Sequence, residues 1–315
     1  MKARIITCTH QVLELPALLE WNVVHTGGVP CDSFSVTFFY DASMAEPLHL
    51  AAGFVALENG TVMLRGIVDE YTVDLGTGGL TATVCGRGYA ARLLDNESRP
   101  MTYEGATLEE ILRNHVTPYG ITAARTAAVR ALSPYTVASG TSQWKALEGF
   151  CRAYGGFVPT FQRDGRLWAA PAQQGRRVRI GGEDPVLSCR LREDHYGVLT
   201  EVLVIDKTRN AFYSVKNNDM LERGGQCRRV VYTPGQSTWD AMRYTGEYQI
   251  AQSAREELSI VLTLPGSFLA FPGDEAELSL ERMGLSGIYR VAQADNRFSL
   301  SGGATVELTL EKRGS

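Results

Sequence analysis

Very short turns between extended apolar runs constrain the fold of this chain more than any other feature. Two such runs meet at Asn59-Gly60, and Asn-Gly in that position is a strong signal for a two-residue hairpin. The stretch Gly76–Gly79 then turns the chain into a further run that ends near Gly86. Alternating apolar and polar residues over 33–39 add a strand with one buried face. Because strands joined by tight turns pair antiparallel, the sequence predicts an antiparallel sheet over roughly the first hundred residues.

A pattern typical of nucleotide-binding proteins lies inside this β region. Gly86, Gly88 and Ala91 form G-x-G-x-x-A, which in dinucleotide enzymes places a pyrophosphate at a helix N-terminus. That use requires a parallel β-α-β unit and an acidic residue at the end of its second strand. Here a hairpin supplies the strand, and the acids about 20 residues later, Glu109 and Glu110, fall within a predicted helix. The glycines are therefore expected to shape a sharp turn and to bind no nucleotide.

Residues 98–175 mix helical and extended patterns. Thr107 and Glu110 have the spacing of a capping box for a helix that begins at Leu108. A second helix, ending at Gly155, is indicated by the helical spacing of Trp144, Leu147, Cys151 and Tyr154. Asp164-Gly165 predicts a hairpin after it. This part of the chain is therefore expected to form an α+β middle domain.

The C-terminal part returns to β structure, with one long helix predicted near 238–257. Residues 49–86 and 274–311 share an order of strand, turn, long strand, Gly-Gly and strand. This repetition predicts two similar β domains. The expected fold is mainly β, with domains over 1–97, 98–175 and 176–315.

Composition and charge exclude several classes of protein. The chain has 315 residues, with 31 Lys and Arg against 35 Asp and Glu, a net charge of −4. A protein that binds nucleic acid usually carries a basic face, and this net charge does not indicate one. No apolar run reaches the roughly 20 residues that span a bilayer, and the N-terminus lacks the pattern of a signal peptide. Synthesis in the cytoplasm is expected, with no membrane partner.

The cysteines and histidines indicate neither a disulfide framework nor a metal site. Six cysteines are scattered without a C-x-x-C pair, so we expect thiols that behave mostly as small buried hydrophobes. The five histidines show no ligand spacing. No metal ligand and no cofactor-binding residue is predicted.

Catalytic residues are not predicted either, because neither a G-x-S-x-G nor an H-E-x-x-H motif occurs. Three acidic pairs are expected to be solvated surface: Glu109-Glu110, Glu193-Asp194 and Glu256-Glu257. A small basic cluster could contact phosphate, although a salt-bridged strand is the favoured interpretation: Arg223, Arg228 and Arg229. The aromatic residues of 142–156 could stack on a sugar, but their helical spacing favours a core position.

The order of four segments resembles the tail hub proteins of contractile-tailed phages and related injection systems. These hubs include the late control gene D family and the Mu-like and defective-prophage hubs. The segments are similar to the family's exit from its first barrel, its middle-domain helix, its second helix with a hairpin, and its closing strands: residues 83–97, 107–121, 142–168 and 271–312.

The resemblance implies a non-enzymatic, structural protein. Each subunit would carry two antiparallel β-barrels similar to tail-tube subunits. Three subunits would form a ring that joins the sixfold tail tube to the threefold spike and lines the ejection channel, and DNA would pass without specific binding. The tube protein, the spike and other baseplate proteins would be its partners in the virion tail. Because the sequence ends at Ser315, the spike is expected to be a separate chain.

Two other functions stay open at the sequence level. One is a cell-wall hydrolase of the same tail, which a nucleophile or an acid–base pair in a cleft would favour. The other is a carbohydrate-binding distal tail module, which an exposed aromatic platform would favour.

Overall fold

The computed structural model describes residues 1–27, 31–131, 133–173, 175–182, 185–233, 239–254 and 257–312. The chain forms two compact units, each built from segments that are not consecutive. Unit 1 contains Met1–Arg176, Pro265–Asp274 and Ala292–Glu307. Unit 2 contains Arg177–Leu264, Glu275–Val291 and Leu308–Ser315. Because the units combine distant segments, the three-domain division stays a prediction.

Among its described residues, unit 1 contains twelve strands and four α-helices of its own. Its strands are β1 (Lys2–Thr7), β2 (Val12–Glu14), β3 (Leu18–Thr26), β4 (Ser33–Phe39), β5 (Ala51–Glu58), β6 (Thr61–Gly76), β7 (Gly79–Gly88), β8 (Met101–Tyr103), β9 (Ala123–Thr126), β10 (Tyr135–Val137), β11 (Thr160–Phe161) and β12 (Leu167–Ala169). Its helices are α1 (Ala45–His49), α2 (Ala91–Leu94), α3 (Leu108–His115) and α4 (Gln143–Phe150), which continues as a π-helical turn over Cys151–Gly155.

The described residues of unit 2 add seven strands and two α-helices. The strands are β13 (Arg177–Gly181), β14 (Ser188–Glu193), β15 (Glu201–Asp206), β16 (Ala211–Lys216), β17 (Arg228–Thr233), β18 (Leu258–Pro265) and β19 (Glu275–Leu280). The helices are α5 (Asn218–Glu222) and α6 (Trp239–Ser253). Strands β20 (Leu285–Ser299) and β21 (Gly303–Lys312) contribute residues to both units.

The main sheet of unit 1 is antiparallel throughout, as predicted. Its strands lie in the order β20-β3-β4-β7-β6-β5-β1-β2. Asn59 and Gly60 form the β5–β6 turn with φ of 49° and 80°, the left-handed values that a two-residue hairpin requires. On β4, the alternating side chains of Phe34, Val36 and Phe38 are buried. The turn chemistry therefore sets the register that places the apolar face inside.

Strand pairing among the described residues does not close either sheet into a barrel. In unit 1 the pairing ends at β2, and in unit 2 it ends at β14 and at β13, which pairs with β19 alone. The mainly β class with a large antiparallel sheet is thus confirmed, whereas barrel closure is not seen in this part of the chain. The two three-stranded sheets are mixed, because β9 pairs parallel with β12 and β15 pairs parallel with β17, whereas β8 and β10 form an antiparallel pair.

Unit 1 has two separate hydrophobic cores. One is formed by the main sheet and includes Phe34, Phe38 and Phe54. The other lies within residues 89–169, where α3 and α4 pack their apolar faces together. Thr107 caps α3 by accepting a hydrogen bond from the Glu110 backbone N–H at 3.3 Å, so the predicted helix start is confirmed.

In unit 2, helix α6 packs against a three-stranded sheet. Strand β15 lies between β16 and β17 and buries Val202 and Val204 against Met242 of α6. The long helix predicted near 238–257 is therefore present, although residues 238 and 255–256 lie outside the described residues. Sequence reasoning did not predict the parallel β15–β17 pair.

The predicted repetition is visible in the order and length of the elements. Strands β5, β6 and β7 have 8, 16 and 10 residues. Strands β19, β20 and β21 have 6, 15 and 10 residues. In both segments a short strand pairs antiparallel with a long one, and a tight turn leads to the third strand.

Candidate assembly interface

The glycines of the G-x-G-x-x-A stretch belong to the antiparallel sheet. Gly86 lies in β7, which pairs antiparallel with β4 and with β6, and the helix that follows has four residues. Between the two glycines, Arg87 binds the Asp69 carboxylate at 2.7 Å and the Asp95 carboxylate at 2.8 Å. The guanidinium holds the pKa of the Asp95 carboxyl below its usual range. The Arg87 guanidinium, which is the cation of this stretch that could contact a phosphate, thus already binds two carboxylates.

The basic cluster is bound by protein groups rather than aligned for phosphate. Arg228 contacts Glu201 at 2.6 Å, and Arg229 donates to the Gln249 side chain at 3.0 Å. Arg223 contacts Glu257 at 2.9 Å, and Lys312 contacts the same carboxylate at 3.1 Å. These contacts agree with a salt-bridged strand.

One expectation for the acidic pairs is wrong. Glu257 is only 7% exposed, although its neighbour in sequence suggested a solvated surface. Its carboxylate is buried because two cations from distant parts of the chain compensate its charge. Glu256 lies outside the described residues.

The aromatic residues of 142–156 belong to the second core of unit 1. Trp144 is 4% exposed, and Tyr154 packs beside Phe150 with ring centroids 5.1 Å apart. The core interpretation of this helix is therefore confirmed. All six cysteines are free thiols, but Cys151 alone is buried, four are half-buried and Cys8 is exposed, so the expectation of mostly buried thiols is wrong.

A buried Ser–His contact in the second core is not arranged for catalysis. Ser98 Oγ lies 3.3 Å from His115 Nδ1, and both atoms lie within 2.9 Å of the Gln143 Oε1 acceptor. Both groups therefore donate to the amide oxygen, and the imidazole is no base for the hydroxyl. His115 Nε2 is in turn 2.9 Å from the Tyr103 hydroxyl. This arrangement is a closed hydrogen-bond network.

A second buried histidine lines a cavity of about 520 Å³ in unit 1. His25 is 2% exposed, and its Nε2 lies 2.9 Å from the Met63 carbonyl oxygen, so that nitrogen is the donor. Its Nδ1 has no hydrogen-bond partner. Desolvation lowers the pKa of His25 and raises the pKa of Asp32, which lines the same cavity. Across the cavity, the Arg163 guanidinium lies over the Phe271 ring. Sequence reasoning missed this site because its residues are far apart in the chain.

Among the described residues, no group of three or more His, Cys, Asp or Glu side chains could hold a metal ion. No described helix combines the length and apolar character needed to cross a membrane.

The outer part of the β6–β7 hairpin exposes large apolar side chains. Tyr71, Val73 and Leu75 of β6 are 38%, 40% and 81% exposed, and Leu80 of β7 is 43% exposed. Their face is the core face of the sheet, because Val73 pairs with the buried Ala82. The apolar face thus continues beyond the core that covers the rest of the sheet. Such uncovered faces are typical of protein contacts.

The same segment of β6 is an open strand edge, here called the hairpin edge (residues 70–76). On the side away from β7, β6 pairs with β5 as far as Ile67. Beyond that residue, its described pairing is with β7 alone. An exposed strand with unpaired backbone groups is a template for another strand.

Unit 2 has a second open edge, here called the β14 edge (residues 187–193). Strand β14 pairs with β18, and its other side has no partner strand among the described residues. Leu187 and Leu191 are 58% and 39% exposed. Leu191 pairs with the buried Ile260, so its side chain lies on the core face of that sheet.

A third exposed surface is the outer face of the sheet formed by β15, β16 and β17. Phe212 and Tyr232 are 68% and 57% exposed, and both pair with Ile205 of the central strand. The Lys207 ammonium lies 4.1 Å from the centre of the Tyr232 ring. Sequence reasoning treated these strands only as β structure and did not identify the aromatic face.

The fold is that of phage tail proteins. The crystal structure of the tail protein from Neisseria meningitidis MC58 matches with a TM-score of 0.76 and 15% identity, over 99% of this chain and 97% of that chain. The 43 kDa tail protein of prophage MuSo2 from Shewanella oneidensis matches with a TM-score of 0.80 and 14% identity, over 99% and 98% of the two chains.

A protein of a secretion system shares the fold. The Escherichia coli c3393 protein, a type VI secretion component structurally similar to the T4 tail proteins gp27 and gp5, matches with a TM-score of 0.59 and 10% identity. That match covers 96% of this chain and 75% of the other. No protein-family model and no curated protein sequence matches this chain. At these low sequence identities, the likeness shows a shared fold.

Proposed function

We propose that this protein is a structural hub of a phage tail or a related contractile injection system. The observation that carries the proposal is the likeness to two tail proteins over nearly the full length of every chain compared. The likeness therefore extends over the chain as a whole and is not limited to one common β motif. The protein would act by assembly and without catalysis.

In this proposal the hub is a homotrimeric ring in the tail or baseplate of the virion. It joins the sixfold tube to the threefold spike and lines the channel through which DNA passes. The repeated element order of β5–β7 and β19–β21 supports two tube-like β segments per chain, so three chains supply six. The separate core within residues 89–169 supports a middle domain over 98–175 between the segments 1–97 and 176–315.

Electron microscopy of the protein with its tube and spike proteins tests the proposal. The expected result is a ring with threefold symmetry between the two partners, with six similar β segments around one axis. Light scattering on the purified chain gives its mass independently. A stable dimer that binds neither partner would refute the hub function.

Two observations favour the rival functions enough to be tested. The buried His25 and the half-buried Asp32 line one cavity, and a His and an Asp in one cleft are the feature that a hydrolase would use. Purified protein should release no soluble fragments from peptidoglycan, and activity lost in His25→Ala would establish the enzyme instead.

The exposed aromatic residues Phe212 and Tyr232 are the feature that a carbohydrate-binding module would use. Calorimetry with cell-wall glycans should give no heat that depends on Tyr232.

A further inference from the structure

We propose that the hairpin edge of one copy pairs, as an added antiparallel strand, with the β14 edge of the next copy. This inference rests on the proposed assembly into a ring and identifies the contact that closes it. The occupant of each edge is a second copy of this chain, because the two edges match each other in length, apolar pattern and charge.

Both edges are extended and open over similar lengths. The hairpin edge has a described partner strand on its β7 side alone, and the β14 edge has one on its β18 side alone. Antiparallel pairing would satisfy the open backbone groups of both strands. Strand addition of this kind is an established mode of protein recognition.

The apolar residues of the two edges coincide in one antiparallel register. With Val73 opposite Cys189, Tyr71 lies opposite Leu191 and Leu75 opposite Leu187. All six side chains project from the core faces of their own sheets, since Val73 pairs with buried Ala82 and Cys189 pairs with buried Leu262. The joined sheets would therefore share one apolar face, which now is exposed at both edges.

The charges on the opposite face are complementary in the same register. Glu70 lies opposite Arg192, and Thr72 lies opposite Arg190, which is diagonal to both Glu70 and Asp74. Neither Glu70 nor Asp74 has an ion-pair partner among the described residues, and the same holds for Arg190, whereas Arg192 contacts Asp194 of its own chain. Opposite charges across paired strands are stabilising, and like charges are destabilising.

The contact uses different surfaces on the two copies, so it is heterologous. A heterologous contact leaves one open edge at each end of a pair of copies and builds a ring when its rotation closes. The proposed contact therefore excludes a symmetric dimer, and within the proposed hub it closes at three copies.

Charge reversal on the full-length protein tests the pairing. We expect Glu70→Arg with Asp74→Arg to weaken the trimer by more than about tenfold, and Arg190→Glu with Arg192→Glu to do the same, because like charges then face each other. The variant with all four substitutions should recover the trimer, since its charges are complementary again. Analytical ultracentrifugation over a concentration series measures the three dissociation constants.

A cross-link tests the register. In a Cys8→Ser background, Val73→Cys should form a disulfide with Cys189 of the next copy under mild oxidation and give bands up to a covalent trimer. Thr72→Cys, whose side chain projects from the other face, is the matched control and should give none. Adding Cys189→Ser should abolish the bands.

The outcomes separate this inference from the proposed function. A trimer that survives both charge reversals and forms no Val73→Cys cross-link overturns the edge pairing and leaves the hub intact. A wild-type chain that stays monomeric and gives no cross-link also overturns the pairing. The hub function fails only if the chain binds neither tube nor spike.

Discussion

Replacing Gly86 by alanine tests whether the glycines of 83–97 serve the sheet. A Cβ atom at Gly86 would lie 2.0 Å from the Ile67 carbonyl oxygen and 2.7 Å from two ring atoms of Phe34. The first distance is about 1.4 Å shorter than the 3.4 Å at which ordinary contact begins. The ring cannot move away, because it is stacked on Phe54 with centroids 3.7 Å apart.

The magnitude follows from this clash with backbone. Overpacking usually costs about 1–3 kcal/mol, and the upper end applies where the obstacle is a paired strand rather than a flexible side chain. We therefore expect Gly86→Ala to lower the free energy of unfolding by about 3 kcal/mol. For a domain of about 200 residues this corresponds to a fall in Tm of roughly 6–12 °C.

Gly88→Ala is the matched control within the same motif. Its Cβ would meet Asp32 at 3.5 Å, an ordinary contact, so the expected change is within about 1 kcal/mol. Thermal unfolding followed by circular dichroism measures both variants. Equal losses at the two glycines, or an unchanged Tm for Gly86→Ala, would refute the argument.

Three further predictions concern charge, pH and ligands. Glu257→Gln should lower the free energy of unfolding by about 1–3 kcal/mol, because two cations lose their shared carboxylate. Glu148→Gln, in a partly exposed helix pair with Arg152, should cost less than about 0.5 kcal/mol in urea titrations. Burial lowers the pKa of His115 below its ordinary value of 6.5. As the pH falls below 6.5, the unfolded chain therefore takes up the proton before the folded chain does, and the stability of the fold should decrease. Between pH 7 and pH 5, the Tm of His115→Gln should fall less than that of the wild type. NAD and ATP should give neither heat nor a thermal shift with the wild type, and a micromolar affinity that depends on Gly86 would contradict the structural role of the motif.

Features with a local cause could be predicted from the sequence. Asn59-Gly60 requires left-handed backbone and therefore marked the hairpin, and Thr107 marked the start of α3 through its own side chain. The helical spacing of Trp144 likewise identified a core position. In each case the determining residues lie within a few positions of one another.

Features that depend on residues far apart in the chain could not be predicted from the sequence. The burial of Glu257 depends on Arg223 and Lys312, which are 34 and 55 residues away. The hairpin edge has the same apolar alternation as a covered strand, so the sequence pattern did not distinguish Val73 from Val84. Which of the two is exposed depends on where the neighbouring strands end.

The pairing of β3 with β20 has a consequence for synthesis on the ribosome. Trp21 contacts Phe298, and the β3–β20 ladder joins residues 20–26 to residues 293–299. Translation proceeds at about 5–20 residues per second, so roughly 15–55 s pass between the synthesis of β3 and the synthesis of its partner strand β20. During that interval one edge of the first sheet is incomplete, and a chain truncated before β20 never acquires the missing strand. Completion of unit 1 therefore requires that translation has passed β20.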